Sequence, residues 1–175
     1  MGVDCQGDVF REIEYYEKIS ENNGCLELQK IIFPYVVVLT QDCDLAQDYS
    51  SRNAQRKDSK LLFSVLIAPM YNAEHVFAGE HLSELDITAS LIKKKKTEGE
   101  KLMKNELPRY HYIEFPEETQ IIPSIIDFKH YFSVPVNYLL SEKEHRFVCK
   151  VASLYREDIS HRFSFFLSRI GLPEK

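Results

Sequence analysis

The densest run of reactive side chains is Gln41-Asp42-Cys43-Asp44, which is separated only by Thr40 from the apolar run Tyr35-Val36-Val37-Val38-Leu39. A buried strand that ends in polar residues fixes the backbone while leaving the side chains free, a common way to build a site. If the segment stays extended, Asp42 and Asp44 share one face as a pair that holds a divalent metal or does acid–base work, and Cys43 points away. That is the chemistry of a metal-dependent nuclease or phosphodiesterase. A thiol hydrolase built on Cys43 needs a base delivered by the fold, and His111 and His130 are the candidates. Cys43, His111, His130 and Asp127 together have the atom types of a zinc site, but no His-x-His or Cys-x-x-Cys spacing anchors one, so a hydrogen-bonded structural role is the plainer reading of each histidine. The plainer reading of the turn is structural too: the aspartates cap the backbone that follows, and Cys43 is a small buried hydrophobe.

Arg109, Arg162 and Arg169 are the cations of interest, because a guanidinium matches carboxylate or phosphate oxygens in bidentate geometry. Either they bind a ligand or one of them neutralises Asp42 or Asp44. The expected site is therefore Asp42, Cys43 and Asp44 for any catalysis, with Gln41, Arg109, His111 and Arg169 for binding. His161 is expected to be exposed.

Several elements must position these groups. Residues 7–10 read as a short first strand, and 12–27 as a polar excursion broken by Asn22-Asn23-Gly24. Residues 31–39, β-branched and without polar alternation, read as a central strand covered on both faces. The polar stretch 48–60 reads as a loop or frayed helix before a second apolar run, Leu61 to Ala68, closed by Pro69. Residues 72–106 read as a helical insertion whose Lys93-Lys94-Lys95-Lys96 is a solvated helix end. Period-two alternation from Arg109 to Phe115 places Arg109, His111, Ile113 and Phe115 on one face and Tyr110, Tyr112 and Glu114 on the other. Strands are expected again in 121–134, interrupted by Pro123, and in 146–154, for a sheet of about five or six strands. Tyr155, Ile159, Phe163, Phe166, Leu167 and Ile170 form an apolar stripe that predicts a helix over 155–171, stopped by Gly171 and Pro173, with Asp158 and Arg162 four apart on a neighbouring face, a spacing that allows them to pair.

The chain has 175 residues and a formal charge of −5, enough for one domain with a full core and no field that draws in a polyanion. Its four scattered cysteines point to reduced thiols, and no apolar run reaches a membrane span, so a cytoplasmic protein without a membrane partner is expected. Eleven Phe and ten Tyr, many alternating with polar residues, describe half-buried strands.

Gly7-Asp8-Val9, Pro34-Tyr35-Val36-Val37-Val38-Leu39 and Ile67-Ala68-Pro69 resemble the opening strands of the PemK/MazF-type toxin family, small SH3-like barrels. The resemblance covers at most residues 7–70. It implies an α+β fold: an SH3-like, PemK-like small β-barrel or a strongly bent, mainly antiparallel sheet, elaborated by the helical insertion and the C-terminal helix. RNA-cleaving members carry an arginine immediately before the proline, where this chain has Phe33. The Gln-Asp-Cys-Asp turn and the segment Ser168 to Pro173 are similar instead to parts of uncharacterised bacterial and phage-borne proteins, which implies a toxin–antitoxin-like or phage-defence setting. The expectation is a binding or regulatory module that recognises a protein partner or small ligand through the Gln41–Asp44 turn, with nucleic acid as a further class of ligand. The alternative is an enzyme, with a divalent metal on Asp42 and Asp44 or a nucleophile in Cys43. A purely structural subunit of a larger assembly would instead show a large exposed apolar patch.

Overall fold

The computed structural model describes residues 5–169. Its first two strands, β1 (Asp8–Asn22) and β2 (Cys25–Val38), form one long antiparallel hairpin, turned at Asn23 and Gly24 with φ of 52° and 78°. An Asn-Gly turn with positive φ at both residues has the twist that a hairpin requires. Residues 12–27 are therefore strand around that turn, not an excursion; an irregularity in the register between Tyr16 and Lys18 breaks the period-two rhythm that marks a strand in sequence.

After β2 come helix α1 (Asp42–Asn53), β3 (Ser64–Asn72), α2 (Ala73–Ala78), α3 (Thr97–Met103), β4 (Tyr110–Ile113), β5 (Ser124–Asp127), β6 (Phe132–Pro135), α4 (Val136–Arg146), β7 (Phe147–Lys150) and α5 (Ser153–Leu167). The strands make one seven-stranded antiparallel sheet in the order β4-β5-β3-β2-β1-β7, with β6 also paired to β3, curled into a half-barrel. The fold is α+β with a C-terminal helix, as expected. Strand 121–134 is split into β5 and β6 by a 3-10 turn, Phe128–His130, and α4 lies where no helix is expected from sequence. Residues 72–106 hold two short helices and a 3-10 turn, and the lysine run leads into α3 rather than ending a helix.

Val36, Val37 and Val38 are fully buried because β2 is covered on both faces. Val37 packs with Val9, Met70, Ile126 and Phe128 under Ile159 and Phe163 of α5. Val36 and Val38 pack with Phe10 and Ile67 against Leu45 of α1 and Leu139 of α4. A third cluster joins Val76 and Phe77 of α2 and Leu102 of α3 to Tyr110 and Ile125. The stripe on α5 is narrower than its sequence pattern, since Tyr155 and Leu167 are exposed, and Ile170, Gly171 and Pro173 lie outside the described residues.

The outer hairpin is amphipathic. Its register puts Tyr16, Ile19, Leu26, Leu28 and Ile32 on one face, all 43–66% exposed, and polar residues such as Ser20, Glu27 and Gln29 on the other.

Candidate functional site

The most heavily interlinked polar group is Asp127, the last residue of β5, whose side chain has no exposure to solvent. Pairing of β5 with β4 sets Asp127 opposite Tyr110 and brings Arg109 alongside: the Arg109 backbone carbonyl accepts from Phe128 N–H at 2.9 Å. The Arg109 guanidinium then grips the carboxylate in bidentate fashion, Nε to Oδ1 at 2.8 Å and Nη2 to Oδ2 at 2.6 Å. The carboxylate also caps the 3-10 turn by accepting from Lys129 N–H at 3.0 Å, and that turn swings His130 round so that Nδ1 lies 2.8 Å from Oδ2. On the far side, His81 Nε2 is 3.8 Å from Oδ2, too long for a hydrogen bond.

Burial, the largest single influence on the Asp127 carboxyl, pushes its pKa up, but the hydrogen bonds from Arg109 and His130, helped by His81, outweigh it and hold the group well below the usual carboxylate range. Asp127 is thus an anion inside the protein, stabilised by the groups it positions.

Those groups have atoms to spare. Arg109 uses Nε and one Nη on Asp127, and His130 uses Nδ1, so among the described residues the second Nη of Arg109, Nε2 of His130 and Nζ of Lys129 have no protein partner. All three residues line a cleft of about 420 Å³ together with Thr88, Ser90, Glu98 and Tyr110. The Arg109 guanidinium is 4.8 Å from the Tyr110 ring centre, which restrains it further. A carboxylate behind an imidazole fixes the ring and its tautomer, leaving the far nitrogen to give or take a proton, while a guanidinium and an ammonium beside it attract an anion.

The Gln41–Asp44 segment is built differently from its sequence expectation. Helix α1 begins at Asp42, so Asp42 and Asp44 diverge around the helix instead of sharing a strand face. Gln41, not an aspartate, is the N-cap residue, and its side chain makes no capping bond. Asp42 spends both oxygens on the protein: Oδ1 accepts from Gln6 N–H at 2.7 Å, and Oδ2 pairs with Arg156 at 2.5 Å. A side chain on Gly7, where φ is 79°, would collide with Arg156, so the glycine is what lets α5 reach Asp42. Cys43 is exposed rather than buried, 3.6 Å from Gln41 Oε1 and 3.8 Å from Asp44 Oδ1. No hydrogen bond or ion pair joins the segment to Arg109, His111, His130, Arg162 or Arg169 among the described residues, and there no group of three His, Cys, Asp or Glu side chains is placed to hold a metal.

The remaining candidates have local duties. Arg162 ignores Asp158 and donates to the carbonyls of Asn105, Leu107 (2.8 Å) and Tyr110 (2.9 Å), because the chain leaving α3 presents three carbonyls at once. Arg169 donates to Phe166 O at 3.0 Å and lies over the Phe166 ring. His111 is buried, its Nδ1 unpartnered and 3.8 Å from Asp158; burial, with a smaller push from Arg162 and against the pull of Asp158, drives its pKa down to about 4, so it is neutral.

No family model and no curated protein matches the chain. The grouping of Arg109, Asp127, Lys129 and His130 therefore rests on geometry. Two of its members, Asp127 and His130, are three apart in sequence, a spacing that one 3-10 turn closes, whereas His81 and Arg156 carry no sequence signal of their roles.

Proposed function

We propose that the protein is a binding or regulatory module for a small ligand carrying an anionic group, taken up in the cleft that Arg109, Lys129 and His130 face. The observation that carries this reading is the buried Asp127 carboxylate, which fixes Arg109 and His130 in place while leaving the second Nη of Arg109 and Nε2 of His130 uncommitted. Rigid donors that are already desolvated on one side lose little freedom when a ligand arrives. The net charge of −5 opposes long polyanions, and Glu98 on the cleft wall adds to that, so the reading favours a small anion over nucleic acid. In this reading Gln41–Asp44 anchors the N-terminal segment to α5 and is not the recognition surface. A thermal-shift screen with inorganic phosphate, citrate, AMP and UMP, monitored in parallel for hydrolysis, tests it: a rise in melting temperature that disappears in His130→Ala supports it, and no shift with any anion refutes it.

The resemblance to PemK-type SH3-like barrels belongs with this proposal. Its support is that the three matching segments are neighbours in the sheet, with Val9 opposite Val37, Val37 opposite Ala68 and Val36 opposite Pro69. A toxin–antitoxin-like or phage-defence setting rests on that resemblance alone.

The outer hairpin favours a second reading, a subunit of a larger assembly. Five large side chains are exposed on one ribbon face, which also carries the Glu14–Lys30 ion pair, and clustered exposed apolar groups mark interaction sites. Light scattering on wild type and Ile19→Ser/Leu28→Ser decides it: an assembled wild type and a monomeric variant support the reading, and monomers in both at high concentration exclude self-assembly.

A further inference from the structure

A second cleft, of about 390 Å³, opens on the other side of Asp127 between the ends of β2 and β3, the loop after α2, and β5. Its walls are largely apolar, from Pro34, Tyr35, Met70 and Ile122. At its inner end stands His81. That side chain has no exposure; its Nδ1 is without a hydrogen-bond partner, and its Nε2 faces the Asp127 carboxylate at 3.8 Å, beyond hydrogen-bond range. The Tyr71 hydroxyl beside it is likewise buried and unpartnered, with the two rings edge to face at 5.1 Å. Buried polar atoms in native proteins are nearly all satisfied, so the open Tyr71 hydroxyl and His81 Nδ1 at the end of one cleft call for a ligand.

The fold holds His81 there deliberately. Gly79 ends α2 with φ of 78°, and a Cβ on it would come within 2.5 Å of the Ala89 carbonyl, so only glycine makes the turn that sends the next residues back under Tyr71. Of the other polar wall groups, Asn72 caps α2 and the Ser124 hydroxyl donates to Ile122 O, while His75 and Ser83 also line the cleft. At the mouth, Glu80 and Glu84 are exposed, and the cleft is lined by no lysine or arginine.

From these features we infer that this cleft is a binding site for an uncharged or cationic planar heterocycle without phosphate, its ring between the aromatic and apolar walls and its polar edge on His81 and Tyr71. The aromatic walls suit a flat ring, the paired imidazole and phenol suit an edge with both donors and acceptors, and the two carboxylates repel anions. Desolvation, with the negative field of Asp127 adding to it, pushes the Tyr71 hydroxyl far above its ordinary pKa, so it remains a protonated donor. The inference is independent of the anion cleft, which uses other residues.

The test is calorimetric titration of the full chain with adenine, cytosine, 1-methylnicotinamide and, as the anionic counterpart, orotate. At least one of the first three should bind, orotate should bind at least tenfold more weakly, and His81→Phe should weaken binding at least tenfold while keeping an aromatic ring in place. Glu84→Gln, at an exposed position that leaves folding intact, should weaken 1-methylnicotinamide selectively and narrow the gap to orotate. Absence of binding by all three heterocycles, equal binding of orotate, or affinities unchanged in both variants would overturn the inference.

Discussion

His111 makes folding sensitive to mild acid, and the size of the effect follows from its surroundings. The side chain is 2% exposed, while its potential counter-charge, Asp158 at 3.8 Å, is half in water. Screening weakens that attraction, so desolvation wins and the folded-state pKa falls from 6.5 to about 4. The unfolded chain then binds a proton between these values that the folded chain refuses. Stability is fully present above about pH 6.5 and is lost as the pH falls toward 4, by about 3 kcal/mol in total and about 2 kcal/mol by pH 5. Urea denaturation at pH 7 and pH 5 measures it. In His111→Phe, which replaces the ring among Phe128 and its neighbours without a titratable nitrogen, the loss between the two pH values should be smaller by about 2 kcal/mol. Equal losses in wild type and variant would refute the reasoning, because they would mean that His111 is protonated in the fold or reached by water.

Asp127→Asn should cost about 2–3 kcal/mol by urea denaturation, below the full value for a broken buried pair because Arg109 is 27% exposed, and wild type alone should carry the extra acid sensitivity below pH 3.8 that a depressed carboxyl confers. Asp42→Ala, at a half-exposed group, should cost about 1 kcal/mol and leave anion binding unchanged; loss of binding without loss of stability would return the Gln41–Asp44 segment to the site. Gly79→Ala should lower stability by about 1–3 kcal/mol and weaken any ligand that depends on His81, read by thermal shift.

What could be read from the sequence was whatever one element decides alone. The buried run Val36–Leu39, the alternation that puts His111 and Ile113 opposite Tyr110 and Tyr112, and a helix carrying Ile159 and Phe163 all follow from local periodicity, and each is present. The start of α1 was obscured because Asp42 and Asp44 favour the first turn of a helix as readily as a polar loop, and only Gly7 and Arg156, far away in sequence, show which. The site was harder. Arg109 and His130 each stood out by residue type, but their common partner emerges only when β4 pairs with β5, and His81 depends on a glycine turn whose partner carbonyl is ten residues on. Arg162 shows the same limit: its spacing from Asp158 allows a pair, yet three open backbone carbonyls at the end of α3 capture it first.

The most direct test of the central claim is a long-range ¹H–¹⁵N spectrum of the histidine side chains, taken while inorganic phosphate is titrated into wild type and Arg109→Lys. His130 Nε2 should shift saturably in wild type and much less in the variant, which keeps the charge but loses the fork that Asp127 holds, while His111 stays still. A His130 signal that does not move, or that moves equally in both proteins, would contradict it.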